Sequence, residues 1–203
     1  MMVFHKWRTI FIGIAKNASS SIYWSLMNKS DQICVEHNHN TMFEDFEHHD
    51  EDLLNSYYSF AVVRNPYTRF YSAWKHNNPH PGPMPEEDYI VEFNSWVEKF
   101  EDPNEFWDLK RHPHFIPQYK YVSLHNKVVV DRLLRFENLH DDWNDMIKFW
   151  NKNSLVPFKK SVALKHENEG VQTIYWEEIY SNRSKEIISN YYRKDFDLFK
   201  YQI

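Results

Sequence analysis

The sequence RTIFIGIAKNASSSIYWSLM, residues 8–27, predicts the fold class of this chain. Residues 8–14 form a short run rich in β-branched and aromatic side chains, of the kind that is buried in a parallel sheet. A small polar segment follows at residues 15–21, and residues 22–27 then have helical character. A strand, a polar loop and a helix in this order are typical of the opening unit of a phosphate-binding α/β domain.

The rest of the chain continues this alternation of strands and helices. Further strands are predicted at residues 32–36, 57–63 and 127–136, and further helices at residues 67–75, 86–100, 139–151 and 176–192. Polar or proline-rich segments at residues 76–85 and 159–173 are predicted loops. We therefore expect an α/β fold: a P-loop-like three-layer domain, with a central parallel sheet and helices on both faces. The 203 residues suit a single domain spanning residues 1–203.

Composition and charge exclude some function classes. Hydrophobic residues make up 42% of the chain, so a packed globule is expected rather than disorder. The net charge of −5 argues against a dedicated nucleic-acid-binding protein, which needs a strongly basic face. A local basic pocket for a small anion is compatible with this balance.

The cysteine content and the N-terminus bear on the compartment. Cys34 is the only cysteine, so the chain forms no internal disulfide, and a reducing compartment is the simpler interpretation. The apolar run at residues 10–15 is too short to span a membrane and lacks a small-residue cleavage site. We expect a soluble cytoplasmic protein without a signal peptide or a membrane span.

The polar loop differs from the standard phosphate-binding loop of nucleotide kinases. In the pattern G-x-x-x-x-G-K-[ST], counted from Gly13, Ala18 stands where glycine is required and Ser19 where lysine is required. The lysine falls earlier, at Lys16, which disfavours a nucleoside-triphosphate kinase. The start of a helix still offers unpaired amides and a positive dipole end to an anion, to which Lys16 would add a full charge. The alternative is that the serines only cap the helix and Lys16 is a solvated surface residue.

A second motif indicates a second anionic group. Arg64 follows a predicted strand, and Asn65 and Pro66 suit the cap and first turn of the helix that carries Arg69 and Ser72. An arginine fork and a hydroxyl near a helix start are suited to a phosphate, and Arg69 and Ser72 lie on roughly one helical face. The alternative is a surface salt bridge. Two such sites after separate strands would fit a ligand with two separated anionic ends.

These segments together resemble the sulfotransferases that use 3'-phosphoadenosine 5'-phosphosulfate (PAPS), in particular the carbohydrate branch. Residues 14–22 are similar to that family's 5'-phosphosulfate loop, P-K-T-x-x-[ST]-[ST], and residues 64–72 fit its 3'-phosphate motif, R-x-P-x-x-R-x-x-S, at every fixed position. Weaker landmarks lie at residues 114–118, 133–139 and 192–201. The chain departs from the loop pattern at Ala15, Asn17, Ala18 and Ser19. Its Ala-Ser-Ser version resembles that of the heparan and uronyl 2-O-sulfotransferases.

The resemblance implies a role for each motif residue. Lys16 would stabilise the leaving phosphate, and Arg64 and Ser72, with Arg69 as a possible helper, would bind the 3'-phosphate. The remaining implied donor-binding residues are Asn17, Ala18, Ser19, Ser20 and Ser21 around the 5'-phosphate, and Lys165 in a late loop that closes over the nucleotide. The implied donor is PAPS, the product is adenosine 3',5'-bisphosphate, the acceptor is a hydroxyl of a glycan, and no metal is required.

The base that deprotonates the acceptor is assigned from the segment after the second predicted strand. His37 and His39 resemble the His-x-His segment of the 2-O-sulfotransferases, in which the second histidine is the base. The ordinary pKa of an imidazole is about 6.5, which suits proton abstraction at neutral pH. We expect His39 to be the base with His37 beside it, and Glu36 is the alternative. The alternative is that these are surface histidines without a catalytic role, since the chain has 12 histidines in all.

Two other functions remain open at this point. A metal-dependent phosphohydrolase would use His48, His49 and Asp50 with His112 and His114, although such a short match is weak evidence. A nucleotide-binding module without catalysis would keep Lys16 and the 3'-phosphate motif but need no base.

Overall fold

The computed structural model describes residues 1–26, 34–35, 56–78, 86–102, 110–153 and 175–203. The chain divides into two compact units. Unit 1 comprises Met1–Arg64 and Gln118–Gly170, and unit 2 comprises Asn65–Pro117 and Val171–Ile203. The chain therefore leaves unit 1 directly after Arg64 and returns to it at Gln118. The prediction of one domain over residues 1–203 stays a prediction.

The strands of the described residues all belong to unit 1. They are β1 (Met2–Phe4), β2 (Thr9–Ile12), β3 (Cys34–Val35), β4 (Tyr58–Val63), β5 (Ser123–Leu124), β6 (Lys127–Val128) and β7 (Arg132–Arg135). Strands β5 and β6 form a small antiparallel hairpin, and the other five form one sheet in the order β3-β1-β2-β4-β7. The predicted strand at residues 127–136 is thus two short strands separated by residues 129–131.

The sheet is mixed rather than purely parallel. Strands β2 and β4 are parallel, with Thr9 opposite Tyr58, and β4 and β7 are parallel, with Phe60 opposite Arg132. Strand β1 is antiparallel to both β2 and β3. The predicted central parallel sheet is correct for the three strands β2, β4 and β7, but the antiparallel N-terminal strand was not predicted.

A tight reversal explains the antiparallel strand. A 3-10 helix at His5–Trp7 ends at Arg8, which has a left-handed backbone with φ of 49° and donates its N–H to the carbonyl of His5. This turn brings β2 back beside β1, so that Phe4 pairs with Thr9. All three residues of β1 are buried, which is why a short apolar N-terminus forms a strand here.

The helices follow the prediction closely except near the C-terminus. They are α1 (Ser19–Leu26), α2 (Pro66–Asn77), α3 (Glu86–Phe100), α4 (Tyr119–Val122), α5 (Leu139–Asn153), α6 (Trp176–Ile179), α7 (Asn182–Tyr191) and α8 (Arg193–Phe199). Helix α1 begins three residues before the predicted start. The single helix predicted at residues 176–192 is two helices, because Ser181 caps α7 by accepting the N–H of Ser184.

The core of unit 1 lies between one face of the sheet and two helices. Its buried residues include Phe11 and Phe60, whose rings stack with centroids 5.0 Å apart, and Trp143 of α5. Leu26 of α1 belongs to the same cluster. A helical layer on this face of the sheet agrees with the predicted α/β class. The full three-layer, P-loop-like arrangement stays a prediction.

Unit 2 has a separate core that is mostly aromatic. Phe70 of α2 lies at its centre, with ring centroids 5.2 Å from Phe100 and 5.4 Å from Phe115. The rings of Tyr67 and Trp176 stack with centroids 4.2 Å apart. Such aromatic pairs add stability beyond the area that they bury. Phe196 of α8 is also buried in this core.

Candidate phosphate-binding site

The loop between β2 and α1 has an unusual backbone. Lys16 has φ of 69° and Ala18 has φ of 58°, so both residues lie in the left-handed region, and Asn17 between them does not. Backbone of alternating hand turns successive N–H groups toward the same side and forms a concave site for an anion. Helix α1 begins immediately afterwards at Ser19. The first N–H groups of a helix have no intrahelical acceptor, so they add donors at the same place.

The loop is closed by the carbonyl of Ile14. This oxygen accepts the N–H of Asn17 at 3.2 Å and the hydroxyl of Ser19 at 2.6 Å. Ser19 is buried, and its hydroxyl proton is used in this bond, so any ligand contact from this residue would use its N–H or accept with its oxygen. Ser20 is exposed and Ser21 is partly exposed. Of the three serines, Ser20 is the one whose hydroxyl is most open to a ligand.

Asn17 holds the loop from inside the protein. Its side chain is completely buried, and its Nδ2 donates to the carbonyl of Val62 at 2.7 Å and to Oε1 of Gln118 at 2.6 Å. Its Oδ1 is also buried and has no hydrogen-bond partner among the described residues. The side chain therefore joins the loop to β4 rather than pointing to an external ligand.

Arg64 follows the last residue of β4 and contacts the same loop. Its Nη1 donates to the carbonyl of Lys16 at 3.0 Å, and its guanidinium lies 4.0 Å from the ring centroid of Phe136. Its backbone N–H and carbonyl both bond to the side-chain amide of Gln118. Arg64 is only 4% exposed, so its charge is fixed in position beside the loop rather than carried on a flexible surface side chain.

Unit 2 contains the rest of the second motif. Asn65 caps α2 by accepting the N–H of Tyr67 at 2.9 Å, as the sequence predicted. Ser72 is partly exposed. Arg69 is 1% exposed and donates to the carbonyl of Pro113 at 3.3 Å, so it does not lie on the helix surface. At this burial, Arg69 contacts a ligand only if its surroundings open.

Several predicted site residues lie outside the described residues. They are the candidate bases Glu36, His37 and His39, the late-loop Lys165, and the phosphohydrolase candidates His48, His49 and Asp50. His112 and His114 are described, and their ring centroids lie 4.6 Å apart. Across the part of the chain that the structure describes, no three His, Cys, Asp or Glu side chains are grouped as metal ligands.

Two residues of this site were not assigned by sequence reasoning. Gln118 was noted only as the last letter of a weak landmark, and Phe136 only as part of a strand region. Gln118 lies 101 residues from Asn17 and 54 from Arg64, so no local pattern could join them. The one available local signal was a polar residue directly after Pro117, which does not predict burial.

The fold and the loop define an α/β protein with a strand–loop–helix unit of the anion-binding kind. The chain belongs to the sulfotransferase family, whose model matches residues 1–202. No curated protein and no solved structure matches the chain at a significant level. Family membership supports a transferase that moves a sulfuryl group, so the predicted reaction class is confirmed. None of the helices in the described ranges is long and apolar enough to cross a membrane.

Proposed function

We propose that this protein transfers a sulfuryl group from PAPS to a hydroxyl of a carbohydrate. Sulfuryl transfer is supported by the family match over residues 1–202. The carbohydrate acceptor is supported by the similarity of Ala18, Ser19 and Ser20, and of His37 and His39, to the 2-O-sulfotransferases. The family match favours this reaction over the metal-dependent phosphohydrolase.

The observation that carries the proposal is the geometry of the loop with Arg64. Two left-handed residues, Lys16 and Ala18, precede the first turn of α1, and the Arg64 guanidinium donates to the carbonyl of Lys16. Backbone donors, a helix N-terminus and a fixed arginine together suit a phosphate ester. Lys16 is partly exposed, which suits a side chain that must reach the oxygen where negative charge develops.

We assign the two ends of the donor to the two motifs. The backbone amides of Ala18 and Ser19, with the hydroxyls of Ser20 and Ser21, would bind the 5'-phosphate, whereas the N–H of Asn17 already donates to the carbonyl of Ile14. Arg64 and Ser72 would bind the 3'-phosphate, as the R-x-P-x-x-R-x-x-S motif implies. Stacking on Phe136 fixes the plane of the Arg64 guanidinium, which favours a directed contact with phosphate oxygens. Lys165 would close over the nucleotide.

The chemical step is an in-line displacement at sulfur. The acceptor oxygen forms a bond to sulfur as the bond from sulfur to the 5'-phosphate oxygen breaks, and adenosine 3',5'-bisphosphate leaves. Lys16 would stabilise the charge that builds on the departing oxygen. His39 would take the proton of the acceptor hydroxyl, with His37 beside it and Glu36 as the alternative base.

A thermal-shift experiment tests the donor site. Adenosine 3',5'-bisphosphate at about a hundredfold over its dissociation constant should stabilise the protein by about 2.7 kcal/mol, or about 5–10 °C in Tm for a chain of this size. AMP and ADP should stabilise it far less, because each lacks one of the two phosphate groups in the required place. Lys16→Met should weaken binding, and Lys127→Met, at an exposed position of β6, should not. Equal shifts with all three nucleotides would contradict the proposal.

A transfer assay tests the acceptor and the base. Labelled sulfate from PAPS should appear on members of a glycan panel rather than on phenols, steroids or tyrosine peptides. His39→Ala should abolish transfer and leave binding of adenosine 3',5'-bisphosphate unchanged. Transfer at the wild-type rate in that variant would exclude His39 as the base, and binding without transfer to any acceptor would indicate a nucleotide-binding module.

A further inference from the structure

The Gln118 side chain makes three hydrogen bonds inside the protein. Its side chain is completely buried, with 0% exposure. Oε1 accepts the backbone N–H of Arg64 at 2.9 Å and the Nδ2 of Asn17 at 2.6 Å, and Nε2 donates to the carbonyl of Arg64 at 2.8 Å. One amide group thus bonds to both the phosphate loop and the end of β4.

The bonds to Arg64 extend the strand beyond the sheet. Pairing between β4 and β7 ends at Val63, opposite Arg135. At the next residue, the Gln118 amide takes the acceptor and donor places that a neighbouring strand would take. The backbone of Arg64 is therefore held in line with β4 by a side chain from a distant part of the chain.

The bond to Asn17 fixes the loop in a strained conformation. Lys16 and Ala18, on either side of Asn17, both have left-handed backbones that cost energy for residues other than glycine. Such conformations persist only where the surroundings impose them, and they concentrate at functional sites. The Asn17 side chain is the part of the loop that is buried and bonded to other segments, through Gln118 and the carbonyl of Val62, and the Arg64 guanidinium adds a bond to the carbonyl of Lys16.

We infer that Gln118 is a positioning residue for the donor site: it holds the phosphate loop and Arg64 in one fixed arrangement that the nucleotide needs. This inference rests on the proposed function. Gln118 does not need to touch the nucleotide. It acts through the Asn17 side chain and the Arg64 backbone, and loss of either link would let the two phosphate-binding elements shift relative to each other.

The test is Gln118→Glu, which keeps the shape and changes one hydrogen-bonding group. A protonated glutamic acid has both a carbonyl acceptor and an O–H donor, so it can replace the amide, whereas a carboxylate cannot donate to the carbonyl of Arg64. Burial raises the pKa of a carboxyl group, so the neutral form gains population as the pH falls. The matched control is Gln202→Glu, which makes the same change at an exposed position.

The measurement is the Kd of adenosine 3',5'-bisphosphate by calorimetry at pH 8 and pH 5.5, each divided by the wild-type value at the same pH. For Gln118→Glu, we expect the ratio of the variant Kd to the wild-type Kd to be about ten at pH 8 and about two or less at pH 5.5. For Gln202→Glu, the ratio should stay near one at both pH values. A purely structural role would lower the melting temperature of Gln118→Glu without changing the affinity of the folded protein.

The outcomes separate this inference from the proposed function. If wild-type protein does not prefer adenosine 3',5'-bisphosphate over AMP, the proposed function fails. If wild type binds selectively and folded Gln118→Glu binds equally well at both pH values, the positioning role is wrong. Should Gln118→Glu not fold, Asn17→Ala provides the second test, because it cuts the other link and leaves the Gln118–Arg64 bonds in place. Unchanged affinity in folded Asn17→Ala would also overturn the inference.

Discussion

Replacing Ala18 by glycine should stabilise the protein, although glycine normally destabilises. Ala18 has φ of 58°, where contact between Cβ and the backbone costs an L-residue about 1–2 kcal/mol. Glycine removes this cost and adds about 0.5–1 kcal/mol of unfolded-state entropy. The balance for Ala18→Gly is a gain in the free energy of unfolding with a midpoint of about 0.75 kcal/mol, within a range of about 0–1.5 kcal/mol.

Ala15→Gly is the matched control in the same loop. Ala15 has negative φ and is 2% exposed, so glycine relieves no strain there and removes a buried methyl group. The methyl is worth about 0.8 kcal/mol and the entropy about 0.5–1 kcal/mol, so Ala15→Gly should cost about 1–2 kcal/mol. The two variants carry the same chemical change three residues apart, yet their free energies of unfolding should change in opposite directions and differ by about 2 kcal/mol.

Urea unfolding followed by circular dichroism measures both variants, with the shift in Cm at constant m as the readout. The affinity for adenosine 3',5'-bisphosphate should move the other way in Ala18→Gly, because a relaxed loop must be ordered again when the nucleotide binds. If Ala18→Gly is as destabilising as Ala15→Gly, Ala18 does not hold a left-handed backbone in solution. The loop would then not be a preformed anion site.

Two further predictions concern buried hydroxyl groups. Ser19→Ala should lower the free energy of unfolding by about 1 kcal/mol, because the Ser19 hydroxyl donates to the Ile14 carbonyl at 2.6 Å. The control Ser20→Ala, at an exposed position, should change the free energy of unfolding by less than about 0.5 kcal/mol. Equal effects of the two substitutions in urea unfolding would contradict the Ser19–Ile14 bond. Burial raises the pKa of Tyr67 above its ordinary value of 10.0, so its neutral phenol contributes stability that is present below pH 10 and lost as the pH rises through the folded-state pKa. As the pH rises from 9 to 11, the free energy of unfolding measured in urea should therefore fall less in Tyr67→Phe than in wild type. An identical fall in both proteins would show that Tyr67 does not contribute to this pH dependence.

The parts of the fold that were predictable are those with a strong local signal. The strand and helix on either side of the phosphate loop follow from an apolar run and a serine cluster, and α3 at Glu86–Phe100 coincides with the predicted helix. The break before α7 was missed because a serine inside a helical sequence pattern does not by itself predict a cap. Only the structure shows that Ser181 accepts the N–H of Ser184 and so begins a new helix. The N-terminal hairpin was missed because a left-handed Arg8 has no sequence signature comparable to glycine.

The site divides in the same way. Lys16 and Arg64 were predicted from motif position, and the structure brings the Arg64 guanidinium to the Lys16 carbonyl. The supports of these residues could not be predicted, because each depends on a long-range contact made by a side chain with no local pattern. Gln118 and Phe136 are in this class: one holds the Arg64 backbone and the other holds its guanidinium.

The supporting side chains also explain how the loop keeps its conformation with little glycine. The chain has only three glycines, and the left-handed positions of the loop are lysine and alanine rather than glycine. A glycine at these positions would adopt the conformation without steric cost but would not hold it. Here the conformation is costly, and it is fixed by the Ser19 hydroxyl and the Asn17 side chain, both of which depend on groups outside the Lys16–Ala18 turn. A loop that is strained and braced is ordered before the ligand arrives, so less binding energy is lost to ordering it than in a glycine-rich loop.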